Sequence, residues 1–265
     1  MRYIVQGDLI KTENCAKPCA QASQWVLSWI RTLPADAVVL DFGCGKLRYT
    51  LPMAKRVRSV FAVDSSYQIF RKQTINGRRT SVEAYARRFL TNVHVCPVES
   101  GRWRRTFDVI LCANVLSTIP EPSVRQLLLR RLACRLKGKG VLLVCVQFRN
   151  SHFAGWAYNP RARRYNDGWL VKNARGTSFY GIIPPANLIN ACKRAGLTVV
   201  GGGSHGESAF VTATREKVDS SSRPPRYPCS GAPAGAGGTA ETGMRVPAGR
   251  AEGGEAVKAF QSSQA

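Results

Sequence analysis

The chain alternates two hydrophobic patterns. Short apolar runs recur at Val38–Leu40, Val60–Val63, Val109–Ala113 and Val141–Val146, and Asn92–Cys96 sets Val93 and Val95 on either side of His94. Short runs of this kind, rich in Val and bounded by turn signals, predict strands buried on both faces. Between them lie segments whose apolar residues return every three or four positions, the spacing of one helix face. The first holds Trp25, Val26, Trp29 and Ile30, follows Lys17-Pro18 and ends before Pro34. The next holds Leu51, Met53, Ala54 and Val57, in a helix expected to begin near Lys46. Tyr67–Ile75 reads as helical up to the Asn76-Gly77 turn, and further helices are expected over Val82–Leu90, Glu121–Leu136 (stopped by Lys137-Gly138-Lys139-Gly140) and Pro185–Ala195. Leu197–Val200 and Ala209–Thr214 close the pattern as two last strands. Apolar strands alternating with helices predict an α/β domain whose parallel sheet carries helices on both faces.

In a parallel sheet, ligands bind outside the carboxyl ends of the strands. Gly43, Gly45, Asp64, Glu99, Asn114 and Gln147 all fall at such ends. The organising stretch is Val38-Val39-Leu40-Asp41-Phe42-Gly43-Cys44-Gly45, a strand running straight into a glycine turn. Glycine there lets a ligand approach the main chain and adopts φ > 0 at no steric cost. A buried Asp41 is expensive unless its charge is hydrogen-bonded, so a polar partner is expected for it. Asp64 ends the second strand 23 residues beyond Asp41, the separation at which an acid accepts hydrogen bonds from the two ribose hydroxyls of an adenosine.

Outside this rhythm lie three segments. Residues 1–34 are expected to form an N-terminal helical segment, their first 16 residues polar and aperiodic. Residues 149–184 interrupt the 35–215 domain with Trp156, Tyr158, Tyr165, Trp169, Phe179 and Tyr180 among arginines, a long connection expected to act as a lid or acceptor-binding element. From residue 216 to 265 the composition turns to Ser, Pro, Gly and Ala, the signature of a disordered low-complexity tail.

Charge adds one question. Across residues 1–215, 33 Lys and Arg face 11 Asp and Glu, so the basic character belongs to the folded part. That field favours polyanions such as RNA or an anionic small molecule, although 28 Arg against 11 Lys also fits a skewed coding composition. The nine cysteines form no Cys-x-x-Cys pair, and His94, His152 and His205 are scattered, so reduced thiols are expected and a metal site is not. With no apolar run of membrane-spanning length and no signal-like N-terminus, a cytoplasmic location without membrane association is expected.

Five motifs in this order carry a resemblance: VVLDFGCG (38–45), VFAVD (60–64), VESG (98–101), FDVILCANVLSTIP (107–120) and GKGVLLV (138–144). From Val38 to Thr214 the chain resembles the class I S-adenosylmethionine-dependent methyltransferases. The resemblance implies a Rossmann-like, mostly parallel seven-stranded sheet with an antiparallel last strand, and S-adenosylmethionine as cofactor. It further implies that Asp41, Gly43 and Gly45, with Cys44 between them, cradle the methionine part. Asp64, with Ser65 beside it, would hold the ribose, Glu99 would sit near the adenine amino group, and Asn114 and Val115 would line the floor near the sulfonium. Leu47 stands where the family often has a third glycine. The Asp/Asn-Pro-Pro-aromatic motif of enzymes that methylate exocyclic amino groups of DNA bases is absent after the fourth strand, as is the Pro-Cys nucleophile of cytosine-C5 enzymes.

Methyl transfer from a sulfonium is an in-line displacement that needs a base only when the acceptor enters protonated. His152, just after the fifth strand, is the first candidate, with Tyr158 and Asp167 behind it. The expected acceptor is an O or N atom of a small molecule. The alternatives are an RNA methyltransferase, drawn from the basic core, and a domain that binds cofactor without catalysis. A nicotinamide-dependent dehydrogenase is disfavoured by the acid at Asp41. No partner protein is inferable.

Overall fold

A computed structural model describes residues 2–149 and 151–215, together with the backbone but not the side chains of Ser151 and His152. The disordered tail expected from residue 216 lies outside the described residues. In chain order the strands are β1 (Arg2–Val5), β2 (Asp8–Lys11), β3 (Val38–Phe42), β4 (Ser59–Asp64), β5 (Gln73–Ile75), β6 (Arg78–Thr80), β7 (Val93–Pro97), β8 (Phe107–Ala113), β9 (Leu136–Gln147), β10 (Ala162–Tyr165), β11 (Gly168–Asn173), β12 (Gly176–Gly181), β13 (Thr198–His205) and β14 (Ser208–Thr214). The helices are α1 (Gln24–Arg31), α2 (Thr50–Ala54), α3 (Ser66–Phe70), α4 (Val82–Phe89), α5 (Pro122–Ala133), α6 (Ser151–Gly155) and α7 (Pro185–Arg194).

Seven strands form the central sheet in the order β13-β14-β9-β8-β3-β4-β7. All neighbours pair in parallel except β14, which runs antiparallel to both β9 and β13. The expected mostly parallel, seven-stranded α/β sheet with its antiparallel last strand is therefore present. The alternation of β3 shows why both faces are covered. Val38, Leu40 and Phe42 enter a core with Leu128, Leu132 and Leu188 from α5 and α7, while Val39 enters a second core with Trp25, Trp29 and Met53 from α1 and α2. Fully burying one such side chain contributes about 1.5–3 kcal/mol. The chain winds outward from β3 through β4 to β7, then returns to β8 on the other side of β3. That reversal opens a crevice above β3, where ligands bind in sheets of this kind.

Several local expectations are corrected. The helix expected over 67–75 is only α3, and the chain then folds back as the hairpin of β5 and β6. Asn76 and Gly77 have φ of 45° and 78°, the twist that favours two-residue hairpins. The segment 1–34 is not wholly helical either: β1 and β2 form a second tight hairpin around Gln6 and Gly7, with φ of 49° and 83°. Nor is 149–184 a loop, because β10, β11 and β12 are strands within it. Thr177 of β12 pairs in parallel with Ile10 of β2, giving a five-stranded sheet in the order β1-β2-β12-β11-β10 around Val5, Ile10, Leu170 and Phe179. The N-terminus and the insert thus make one structure. The helix after the glycine turn begins at Thr50 rather than near Lys46, and Lys137–Gly140 lies within β9 rather than ending a helix. Among the described residues no helix is long and apolar enough to cross a membrane.

Candidate active site

The site begins with how the turn after β3 is fastened. Gly43 N–H and Cys44 N–H both donate to Val63 O, at 2.7 and 3.1 Å, which ties the turn to β4. Gly43 has φ of +79°, and a Cβ there would stand 2.2 Å from Val115 Cγ2, so both backbone and space require glycine. Leu47, at φ 62°, keeps the left-handed conformation without being glycine. Its side chain is fully buried beside Cys44, Ala62 and Ile75, and that burial offsets the roughly 1–2 kcal/mol cost of the conformation.

The two acids meet this turn differently. Asp64 Oδ2 accepts from Gly45 N–H at 2.9 Å and Oδ1 from Ser65 N–H at 2.8 Å, so the tip of β4 grips the turn after β3. Burial raises its pKa, opposed by these bonds. Asp41 is only 2% exposed. Its Oδ2 accepts from Thr50 Oγ1 at 2.5 Å, the polar partner its burial demanded. Burial nonetheless pushes the carboxyl up to about 6. On the other wall, Asn114 takes φ of 58° at the end of β8, where its N–H donates to Cys145 O at 2.7 Å and its Oδ1 accepts from Gln147 N–H at 3.0 Å. These bonds join the tips of β8 and β9 and set Val115 against Gly43.

Asp41, Gly43, Cys44, Gly45, Asp64, Ser65, Asn114 and Val115 line one cleft holding about 790 Å³ of empty space, its open mouth included. Glu99 stands one step back, its Oε2 accepting from Ser66 N–H and Oγ at 3.2 and 2.9 Å, while Val98 faces the cleft. The opposite side is closed by residues the sequence did not single out: Tyr3 of β1 and the strap from Thr12 to Lys17. The strap is pinned by Glu13, whose Oε1 accepts from Arg2 Nε and Nη2 at 3.1 and 3.0 Å and whose carbonyl accepts from Arg71 Nη2 at 2.9 Å.

A second cavity of about 820 Å³ adjoins the first, with Cys15, Ala16, Lys17, Lys46, Asn114 and Thr118 on the shared boundary. Its far wall comes from the insert: Phe153, Arg175, Tyr180 and Gly181. Gln147 at the end of β9 and Ser117 in the turn after β8 also line it, with Asn14, Pro18 and Gln21 from the N-terminal segment. The candidate bases part company here. His152 lies on α6 beside Phe153, its side chain outside the described residues. Tyr158 is 91% exposed and lines neither cavity. Asp167 is held by Arg125, which donates to Oδ2 and Oδ1 at 2.5 and 2.7 Å, so it clamps the β10–β11 turn to α5 and is removed as a base.

Comparison with known proteins agrees with this geometry. The model of the methyltransferase domain matches residues 15–201. The chain is 30% identical over 213 residues to the uncharacterized protein YmfD of Escherichia coli, covering 80% of this chain and 95% of that one. It is 29% identical to the ubiquinone biosynthesis O-methyltransferase of Pasteurella multocida, over 75% of this chain and 86% of that enzyme. Among solved structures, an S-adenosylmethionine-dependent methyltransferase from Clostridium acetobutylicum superposes with a TM-score of 0.52 at 13% identity, covering 75% of this chain and 94% of that one. A sheet of this order with its crevice above β3 defines the class I methyltransferase fold. The chain belongs to the methyltransferase domain family and is an S-adenosylmethionine-dependent enzyme.

Proposed function

We propose that this enzyme transfers the methyl group of S-adenosylmethionine to an O or N atom of a small molecule held in the second cavity. The observation that carries the reading is the shared boundary of the two cavities, roofed by the strap and walled by the insert. Asp41 receives the cofactor's ammonium group and the glycine turn lies along its methionine chain. Asp64 takes ribose hydroxyls, and Val98, backed by Glu99 and Ser66, borders the adenine. Asn114 and Val115 form the floor below the sulfonium. The acceptor's lone pair attacks the methyl carbon as the carbon–sulfur bond breaks and its electrons return to sulfur, leaving S-adenosylhomocysteine. Where the acceptor enters protonated, His152 takes that proton.

The aromatic residues of the insert favour a small acceptor over RNA. Stacking on unpaired bases needs free ring faces. Here Trp156 packs on Phe153 and Tyr180 with ring centroids 5.0 and 4.7 Å apart, and Tyr165 on Phe179 at 6.4 Å, which leaves Tyr158 as the strongly exposed ring of the insert. The eight described cysteines are all free, in keeping with a reducing, cytoplasmic setting. Incubation with methyl-labelled S-adenosylmethionine and size-separated cell extract tests the reading. Label is expected in low-molecular-weight material, and label confined to RNA or protein refutes it.

A further inference from the structure

The second cavity carries positive charge that none of its own lining residues balances. Lys17, Lys46 and Arg175 line it, and no Asp or Glu does. Among the described residues, the ion pairs join Arg2 to Glu13, Arg87 to Glu83, Arg125 to Asp167, Lys137 to Asp108 and Arg163 to Asp8, and none involves these three. Unpaired cations on open surface cost little. Lys17 and Arg175 are exposed and Lys46 is half-buried, so three cations share the rim of one concavity and repel one another there. Lys46 registers this: burial lowers its pKa, and Arg71 and Arg175 lower it further.

Arg175 is held as a recognition group would be. It sits in the turn between β11 and β12, where its N–H donates to Asn173 Oδ1 at 2.8 Å. Its carbonyl accepts from Lys11 Nζ and Asn14 Nδ2, both at 3.3 Å. The backbone is thus fastened to β2 and the N-terminal strap at the wall of the cavity. Lys17 stands across from it with Nζ 3.2 Å from the neutral Gln147 Oε1. Glu207 stands outside the lining, its Oε2 accepting from Gln147 Nε2 at 2.5 Å, and the lining groups themselves supply no countercharge. Burial raises the Cys15 thiol to about 11 and lifts the Tyr180 phenol further, so both stay neutral near pH 7.

We propose that the acceptor is a small organic anion whose carboxylate or phosphate group is held by Lys17, Lys46 and Arg175, with its apolar part against Phe153 and Tyr180. The inference rests on the reading of this cavity as the acceptor site. Lys17 and Lys46 line both spaces, so the cofactor's own carboxylate shares them, and Arg175, which lines only the second, is the residue that distinguishes the acceptor.

The test sorts low-molecular-weight cell extract on an anion exchanger at pH 7 and offers the retained and flow-through pools separately with methyl-labelled S-adenosylmethionine. Label is expected in acceptors from the retained pool. Arg175→Gln raises the apparent KM for that pool about tenfold or more, the loss expected for a charge-assisted hydrogen bond. Arg175→Lys recovers part of it, and the dissociation constant for S-adenosylhomocysteine is unchanged in both. For the unaltered enzyme, phenyl phosphate or benzoate competes with the retained pool at constant ionic strength and benzamide does not. Label only from the flow-through pool, or equal competition by benzamide, overturns the proposal while leaving small-molecule methylation intact. Label in neither pool, with S-adenosylhomocysteine still bound, overturns the acceptor reading itself and this proposal with it.

Discussion

Asp41 gives the most informative perturbation. Its carboxyl is pushed from 3.8 to about 6 by burial, with Thr50 Oγ1 only partly offsetting the cost. A shift of about 2 units corresponds to about 3 kcal/mol favouring the neutral form in the empty protein. Because the folded value lies above the unfolded one, this group's contribution to stability is full below pH 3.8 and is lost as pH rises through about 6. Asp41→Asn removes that loss. In urea titrations of the empty protein, the stability of the variant relative to the parent is expected to rise by about 2 kcal/mol between pH 4.5 and 7.5, less than the full shift because the unfolded carboxyl is already largely ionised at pH 4.5. A cationic ligand reverses the preference, since the ammonium of the cofactor favours the ionised carboxylate. The affinity of the parent for S-adenosylhomocysteine is therefore expected to rise about tenfold per pH unit below pH 6 and level off above it, and the variant loses that dependence. Asp64 is raised in the same direction, so the difference between parent and variant isolates Asp41. A stability difference flat from pH 4.5 to 7.5, with equal pH dependence of binding in both proteins, refutes the reasoning.

Three further perturbations follow from the same geometry. Gly43→Ala places a methyl 2.2 Å from Val115 Cγ2 at a φ of +79°, so it is expected to cost about 2 kcal/mol or more by chemical denaturation and to weaken cofactor binding in calorimetry. Asn114→Ala removes the acceptor of Gln147 N–H and leaves a left-handed residue without its local bond, a loss of about 1–3 kcal/mol, with KM rising as the floor of the cleft loosens. Arg125→Ala strips Asp167 and the carbonyl of Ile119 of their donor, while Pro120 O keeps Asn166 Nδ2, and about 3 kcal/mol of stability is expected to go with it while the dissociation constant for S-adenosylhomocysteine stays put.

The central sheet was legible because its strands are buried on both faces, so each reads as an uninterrupted apolar run whose end marks a ligand position. Asp41, Gly43, Gly45, Asp64 and Asn114 come to one cleft for that reason. The N-terminal hairpin was not legible. Its apolar residues fall on both faces, with Ile4 79% exposed beside Val5 at 4% and Leu9 43% exposed beside Ile10 at 0%, so no alternation survives in the sequence. The one usable signal was Gly7 between two short apolar runs, a two-residue turn like that at Asn76-Gly77. The strands of the insert were hidden in another way. β10 reads Ala-Arg-Arg-Tyr, and its membership in a sheet depends on β11 and β12, which β2 then extends from far away in the sequence. Lys17, Lys46 and Arg175 come from three separate segments, and only the fold brings them to one cavity.

The claim beneath all of this is that the tips of neighbouring strands clasp an adenosine-bearing sulfur compound, and calorimetric titration of S-adenosylhomocysteine tests it most directly. The parent is expected to bind one equivalent saturably. Asp64→Asn, which keeps an oxygen for Gly45 N–H but loses the charge we propose for the ribose, is expected to bind at least tenfold more weakly with an unchanged circular dichroism spectrum. Equal affinity in the two proteins, or no binding by the parent, contradicts the account.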